Sequence, residues 1–431
     1  MKAAINFLTL ALLLGFNLAQ AQPEPTAWVV NSLGETLSNV NLNSGQVTLN
    51  ALMLGDSPND LVITGTTGYV VNSLSNHVQT INLITQTTTG TIEIYRGINP
   101  WSIALDGDGL GFVPNFLTGN VSVLDLEAGS EIDAINVGGA PESACVFANS
   151  IFITDVNYDM GSGTFGPGRL HAYSLPDLIF RGTVEVGTNP QVVKPGPDGL
   201  LHVVCTGNYA AIPGQVDLVD AGALTVETSI PIGGSPGSLA FSSDYIAYLG
   251  AGGWGGGGAV LSYDAQTHQI LHSAENAIPV PSAAMGIAVT SSDHVLVCCF
   301  PTDQIAELDS EGNSLRIFGV GDGPVTLAVW EPPSAVKPPI SGDMSFNLSW
   351  NFPEPFNSST TIVYTILAPA PVTLKVFDLS GRMWENRALG FQPVGENRLS
   401  FKPPFTVGSG ILFYSLQSGR WITSGFMIYM K

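Results

Sequence analysis

Three oxygen-bearing side chains stand at alternate positions in Asp155-x-Asn157-x-Asp159, just ahead of Gly161 and Gly163. Such spacing suits Ca²⁺, which gathers several oxygen ligands from a tight loop. The run lacks the central glycine and the closing glutamate of an EF-hand loop, and a plain Asx-turn loop uses the same residue types. Asp155, Asn157 and Asp159 are the candidate metal ligands, and Ca²⁺ is the one cofactor the pattern suggests. Four aromatic residues, Tyr158, Phe165, Tyr209 and Trp254, lie in the glycine-containing stretches 156–168, 206–214 and 250–258. Rings on such loops suit stacking against a sugar ring or a protein partner, so these four are the candidate ligand-binding residues. Loops of this kind also fold down as lids over strand ends.

Catalysis leaves no comparable mark. The six histidines (His77, His171, His202, His268, His272 and His294) fall in no H-x-H, H-E-x-x-H or G-x-S-x-G setting. His202 and His294 read as packing or edge residues. Carboxylate pairs with glycosidase spacing are not identifiable, and no catalytic residue is assigned. Cys145, Cys205, Cys298 and Cys299 show no metal-ligand spacing. Neighbouring cysteines pair only with strain, so four buried free thiols are expected.

The elements that must position these residues come from a repeat. A G-x-x-P turn followed by a short apolar strand starts at Gly55, Gly97, Gly138, Gly187, Gly233 and Gly321. A degraded copy near Pro281 fills the one double interval, giving spacings of 42, 41, 49, 46, 48 and 40 residues. Each unit continues with a polar turn, a second strand such as Tyr69-Val70-Val71-Asn72, and an alternating third strand such as Val78-Gln79-Thr80-Ile81. Period-two alternation between Gly, Asn and Asp turns signals strands, and this period in an all-β chain signals propeller blades. The three longest units are those holding the aromatic loops, which places their rings on one rim. Trp28-Val29-Val30-Asn31 matches a second strand with no first strand before it. Thr326-Leu327-Ala328-Val329 supplies the missing partner and removes an open sheet edge. The expectation is an all-β chain, a seven-bladed β-propeller followed by a small C-terminal β-sandwich.

Composition narrows the partners. The net charge of −21 repels phosphate backbones and anionic lipid, so nucleic acid is not expected as a partner. Hydrophobic residues make up 45% and charged residues 11%, which permits a large core. Lys2, the apolar run 7–16 and Ala19-Gln20-Ala21 read as a signal peptide over residues 1–21. No later stretch is apolar for long enough to span a bilayer as a helix, so no transmembrane segment is expected in the mature protein. The propeller is placed at 22–330 and a proline-rich linker at 331–345.

Two resemblances follow from quoted residues. The repeat, with Tyr69-Val70-Val71-Asn72-Ser73 followed by Asn76-His77-Val78, resembles the YVTN family of β-propellers. That resemblance implies fold more than function, because such propellers serve as surface-layer proteins, lactonases, lyases and dehydrogenase subunits. Residues 346–431 contain Trp350-Asn351-Phe352-Pro353-Glu354-Pro355-Phe356-Asn357-Ser358-Ser359-Thr360, then Leu374-Lys375-Val376-Phe377-Asp378-Leu379-Ser380-Gly381-Arg382, then Gly410-Ile411-Leu412-Phe413-Tyr414-Ser415-Leu416. This segment resembles the type A sorting domain of the type IX (Por) secretion system; Glu354, Ser358 and Leu412 depart from its pattern. The resemblance implies export through the periplasm of a Gram-negative bacterium to the cell surface or beyond. The implied partners are the type IX secretion machinery and surface lipopolysaccharide.

Three functions fit such a chain: a surface propeller binding a glycan, peptide or protein; a secreted lactonase-like hydrolase or lyase; and a surface-coat structural protein. An enzyme needs charged residues converging at the channel mouth. The second-strand ends, Asn31, Asn72, Asn115, Asp155, Cys205 and Cys299, are mostly amides and thiols, which favours binding.

Overall fold

The computed structural model describes residues 24–252, 257–332, 346–353, 355–366, 370–378, 381–392, 395–404, 407–418 and 421–431. The signal-peptide segment, nearly all of the proline-rich linker and Trp254 lie outside the described residues. The chain divides into two compact units, Met1–Pro333 and Ser334–Lys431.

The first unit is all-β and propeller-like. Its described residues form antiparallel sheets, each laid down from one repeat, as in Pro58–Thr64, Thr67–Asn72, His77–Asn82 and Thr87–Glu93. The expected exception occurs at the ends of the unit. Strand Pro324–Trp330 pairs with Thr26–Asn31, with Val29 opposite Leu327, and so completes a sheet with Thr36–Asn41 and Val47–Met53. Second and third strands are buried on both faces because each sheet packs on a neighbour at either side. Trp28 and Val30 share a core with Val70 and Ile81 of the next sheet, while Ala27 and Val29 share one with Cys298 and Ile305. Fourth strands are largely exposed, as in Thr87–Glu93.

The conserved shape of the turn has a steric cause. Asn115 ends a second strand and points its amide at Gly97 of the G-x-x-P turn, so a Cβ at Gly97 would strike that amide. Asn72 takes the same place opposite Gly55 and accepts its N–H at 3.0 Å. Asn72 thus clamps the turn backbone, whereas the Asn31 and Asn115 amides donate to neighbouring side chains, Thr36 and Ser38 for the first and Asn120 and Ser122 for the second.

The long units differ from expectation in detail. Residues 156–168 contain a miniature hairpin, Tyr158–Asp159 paired with Thr164–Phe165. In the unit beginning at Gly233 the outer strand is interrupted, because Ile270–His272 and Ile278–Val280 both pair with Gly258–Asp264. That interruption accounts for part of its length. The four cysteines are buried and free.

In the second unit, Phe346–Phe352, Thr360–Ile366 and Gly395–Phe401 form one sheet; Ala370–Asp378, Met383–Gln392, Gly410–Ser418 and Trp421–Tyr429 form another. Ile362, Tyr364 and Phe401 of the first share one core with Leu374, Tyr414 and Met427 of the second.

Candidate functional site

The first strands of the sheets line a cavity of about 780 Å³ in the first unit. Its lining draws on the position directly after the repeat's proline: Asn59, Trp101, Glu142, Gln191 and Gly237. Asp60, Lys194, Tyr209 and Ser238 line it too.

Five aromatic rings run in unbroken succession beside this cavity. Trp101 lies 5.7 Å from Phe116, Phe116 6.4 Å from Tyr158, Tyr158 4.9 Å from Phe165, and Phe165 6.4 Å from Tyr209, centroid to centroid. The tilted geometries and spacings are those of favourable ring pairs. Trp101, Phe116, Tyr158 and Phe165 are half-buried and Tyr209 is exposed, so the row is neither core nor loose surface. Three of the four aromatic residues singled out by sequence come together here; the fourth, Trp254, falls outside the described residues. Two members were missed. Phe116 follows Asn115 where Ser32 and Ser73 follow the matching asparagines, a substitution visible in the repeat. Trp101 follows the repeat's proline, as Glu142 does.

Charge within the cavity is unevenly matched. Asp60 is half-buried and Lys194 keeps an exposed side chain, yet their charges are felt by one another; desolvation pushes the Asp60 carboxyl up and the Lys194 ammonium down, and their mutual attraction opposes both shifts. Asp60 accepts the Ile103 N–H at 3.0 Å, and Lys194 donates to the Leu239 carbonyl at 2.7 Å. Glu142 has no such partner. It is 4% exposed, its Oε2 makes no hydrogen bond, and burial pushes its carboxyl up to about 8. The Tyr209 phenol is raised first by burial and then by the nearby Glu142 charge, against the hydrogen bond from Gln191. Gln191 Nε2 donates to the Tyr209 hydroxyl at 3.0 Å. This convergence of Asp60, Glu142 and Lys194 was not legible as a pattern of spacing.

The candidate metal ligands make the following contacts. Asp155 is buried and its Oδ1 accepts the Ala140 and Asn157 N–H groups, each at 2.8 Å. Its Oδ2 lies 3.4 Å from Arg169 Nη1 and 3.7 Å from His171 Nε2. Burial pushes this carboxyl up, but His171 and the two N–H groups outweigh it and hold it below its ordinary value. Asn157 donates to the Pro167 carbonyl at 2.9 Å, and Asp159 is exposed and accepts the Gly161 N–H. Among the described residues, no group of three or more His, Cys, Asp or Glu side chains is arranged to hold a metal ion.

A second polar cluster joins two sheets. His202 is fully buried, stacked on Tyr263 at 5.8 Å, with Nδ1 against the Tyr263 hydroxyl. Asp198 reaches His202 Nε2 and His268 Nε2, each at 3.0 Å. His202 is a packing residue, but one tied into a polar relay.

No protein-family model matches the sequence. No curated protein matches it either. Among solved structures the chain is similar to Kuenenia stuttgartiensis hydrazine synthase, with a TM-score of 0.54 and 15% identity, covering 65% of this chain and 96% of that one. At that identity the likeness bears on fold alone, and it agrees with the propeller-like sheets. No helix among the described residues is long and apolar enough to cross a membrane.

Proposed function

We propose that this is an exported ligand-binding protein, in which a closed seven-bladed YVTN-like propeller presents an aromatic platform beside its central cavity. The C-terminal unit is the address that takes it, by type IX secretion, to the surface of a Gram-negative cell. The ring closure is supported by the pairing of Thr26–Asn31 with Pro324–Trp330, and the address by the motifs of residues 346–431.

One observation carries the binding role: five aromatic rings from three successive units stand side by side without a break, and the two end members, Trp101 and Tyr209, line the cavity. Rings that served only as core would be fully buried. Half-exposed rings beside a cavity give a ligand a large, rigid and poorly hydrated surface. The ligand is a glycan, a peptide or a protein segment displayed outside the cell. Glycan and peptide arrays probed with wild type and with Trp101→Ala test this. Hits that weaken by about 2 kcal/mol or more in the variant, with melting unchanged, support the platform; hits indifferent to Trp101 overturn it.

A second reading is favoured by Glu142. A carboxyl raised to about 8 is protonated at neutral pH and suits a general acid, as a secreted lactonase-like hydrolase or lyase would need. Turnover of a bound ligand that is lost in Glu142→Gln with binding retained supports it.

A further inference from the structure

We propose that the cavity binds an organic cation, a quaternary or methylated ammonium group held against the lining rings of Trp101 and Tyr209, with Glu142 releasing its proton to solvent as the cation arrives and so meeting its charge. The proposal rests on the binding role argued above and names the chemical class of the ligand. Three independent features point to it.

First, the rings and the carboxyl alternate along the fold. Trp101 comes from the unit beginning at Gly97, Glu142 from the next, and Tyr209 from the one after, and all three line the cavity. A cation over ring faces is held by their negative quadrupole, and the attraction grows when water is excluded.

Second, Glu142 lacks a cationic partner of its own. Of the groups facing the cavity, Lys194 donates to the Leu239 carbonyl and makes no ion pair with Glu142. Tyr209, its phenol raised by burial, is uncharged and offers no positive charge. A nearly fully buried carboxyl with an unpartnered Oε2 is costly unless something positive or hydrogen-bonding meets it. A methylated ammonium meets it by charge without needing a directed hydrogen bond, and the apolar methyl groups match the rings.

Third, the chain carries a net charge of −21, so its field concentrates cations near the site. A neutral sugar would use the rings but gain nothing from that field or from an ionised Glu142.

The test uses the full chain with choline and its uncharged isostere 3,3-dimethyl-1-butanol, followed by titration calorimetry and saturation-transfer NMR. Choline is expected to bind at least about tenfold more tightly than the isostere. Glu142→Gln should remove that preference, and Trp101→Ala should weaken both probes. Equal affinity for the two probes in wild type overturns the cation assignment and leaves the aromatic platform standing. A choline preference that survives Glu142→Gln also overturns it. If neither probe binds but a glycan or peptide is lost on Trp101→Ala, the cation assignment fails alone. If no ligand of any class depends on Trp101, the binding role fails with it.

Discussion

Tyr158 and Phe165 face one another across a two-residue-per-strand hairpin, paired in register with ring centroids 4.9 Å apart. The pair sits in the middle of the aromatic row and bridges Phe116 to Tyr209. A segment that reads as a loop is thus a paired hairpin that places two rings side by side.

Removing one ring should break the row without unfolding the unit. Phe165→Ala loses one tilted ring pair on each side, each worth about 0.5–1.5 kcal/mol, from a satellite hairpin outside the sheets. Thermal melting should shift by only a few degrees, while ligand affinity should fall by about 2 kcal/mol or more. A large fall in melting temperature with ligand affinity intact would assign the row to stability.

Glu142 predicts a falling stability with rising pH. Its carboxyl is raised to about 8 in the folded state from an ordinary 4.5 in the unfolded chain. Between those values the unfolded chain binds fewer protons than the folded one, so stability drops as pH rises through the window. Glu142→Gln should therefore stabilise the unliganded protein increasingly from pH 5 to pH 8, with little effect near pH 4. Parallel melting curves for the two proteins across this range would contradict the buried, unpartnered carboxyl.

Asp198 predicts the opposite slope. Burial pushes it up, but His202, the Leu200 N–H and His268 outweigh burial and bring it down to about 2, below its ordinary 3.8. Its contribution is therefore fully present above about 3.8 and is lost as pH falls through about 2. Asp198→Asn should lower the melting temperature at pH 6 and make little difference near pH 2. The test is calorimetry at both pH values; an equal deficit at both would mean that the ionised form is not what holds His202.

Deleting residues 346–431 should leave the first unit folded, because its sheets, including the one that joins Thr26–Asn31 to Pro324–Trp330, are complete without the second unit. The truncated protein should melt with the same transition as the first unit of the full chain and accumulate in the periplasm. Its recovery from the cell surface on fractionation would remove the sorting role from the C-terminal unit.

The repeat was legible because its signals are local. A G-x-x-P turn, a polar turn and period-two alternation specify hairpins within some forty residues, and the antiparallel sheets follow from them. The match between Trp28-Val29-Val30-Asn31 and other second strands was enough to foresee the pairing of distant ends, since an unpaired edge had one available partner. Tyr158, Phe165 and Tyr209 were found by their loops. Phe116 and Trp101 were not, because each reads as an ordinary strand-end residue until its neighbours in space are known. Glu142 shows the limit most clearly. Directly after a proline in Pro141-Glu142-Ser143 it looks like a solvated turn carboxylate, and only the approach of several first strands buries it and leaves Oε2 unpartnered. Local residue types determined the strands and turns. Charge state, ring contacts and the cavity depend on desolvation by residues from several repeats, and that is a property only the tertiary structure decides.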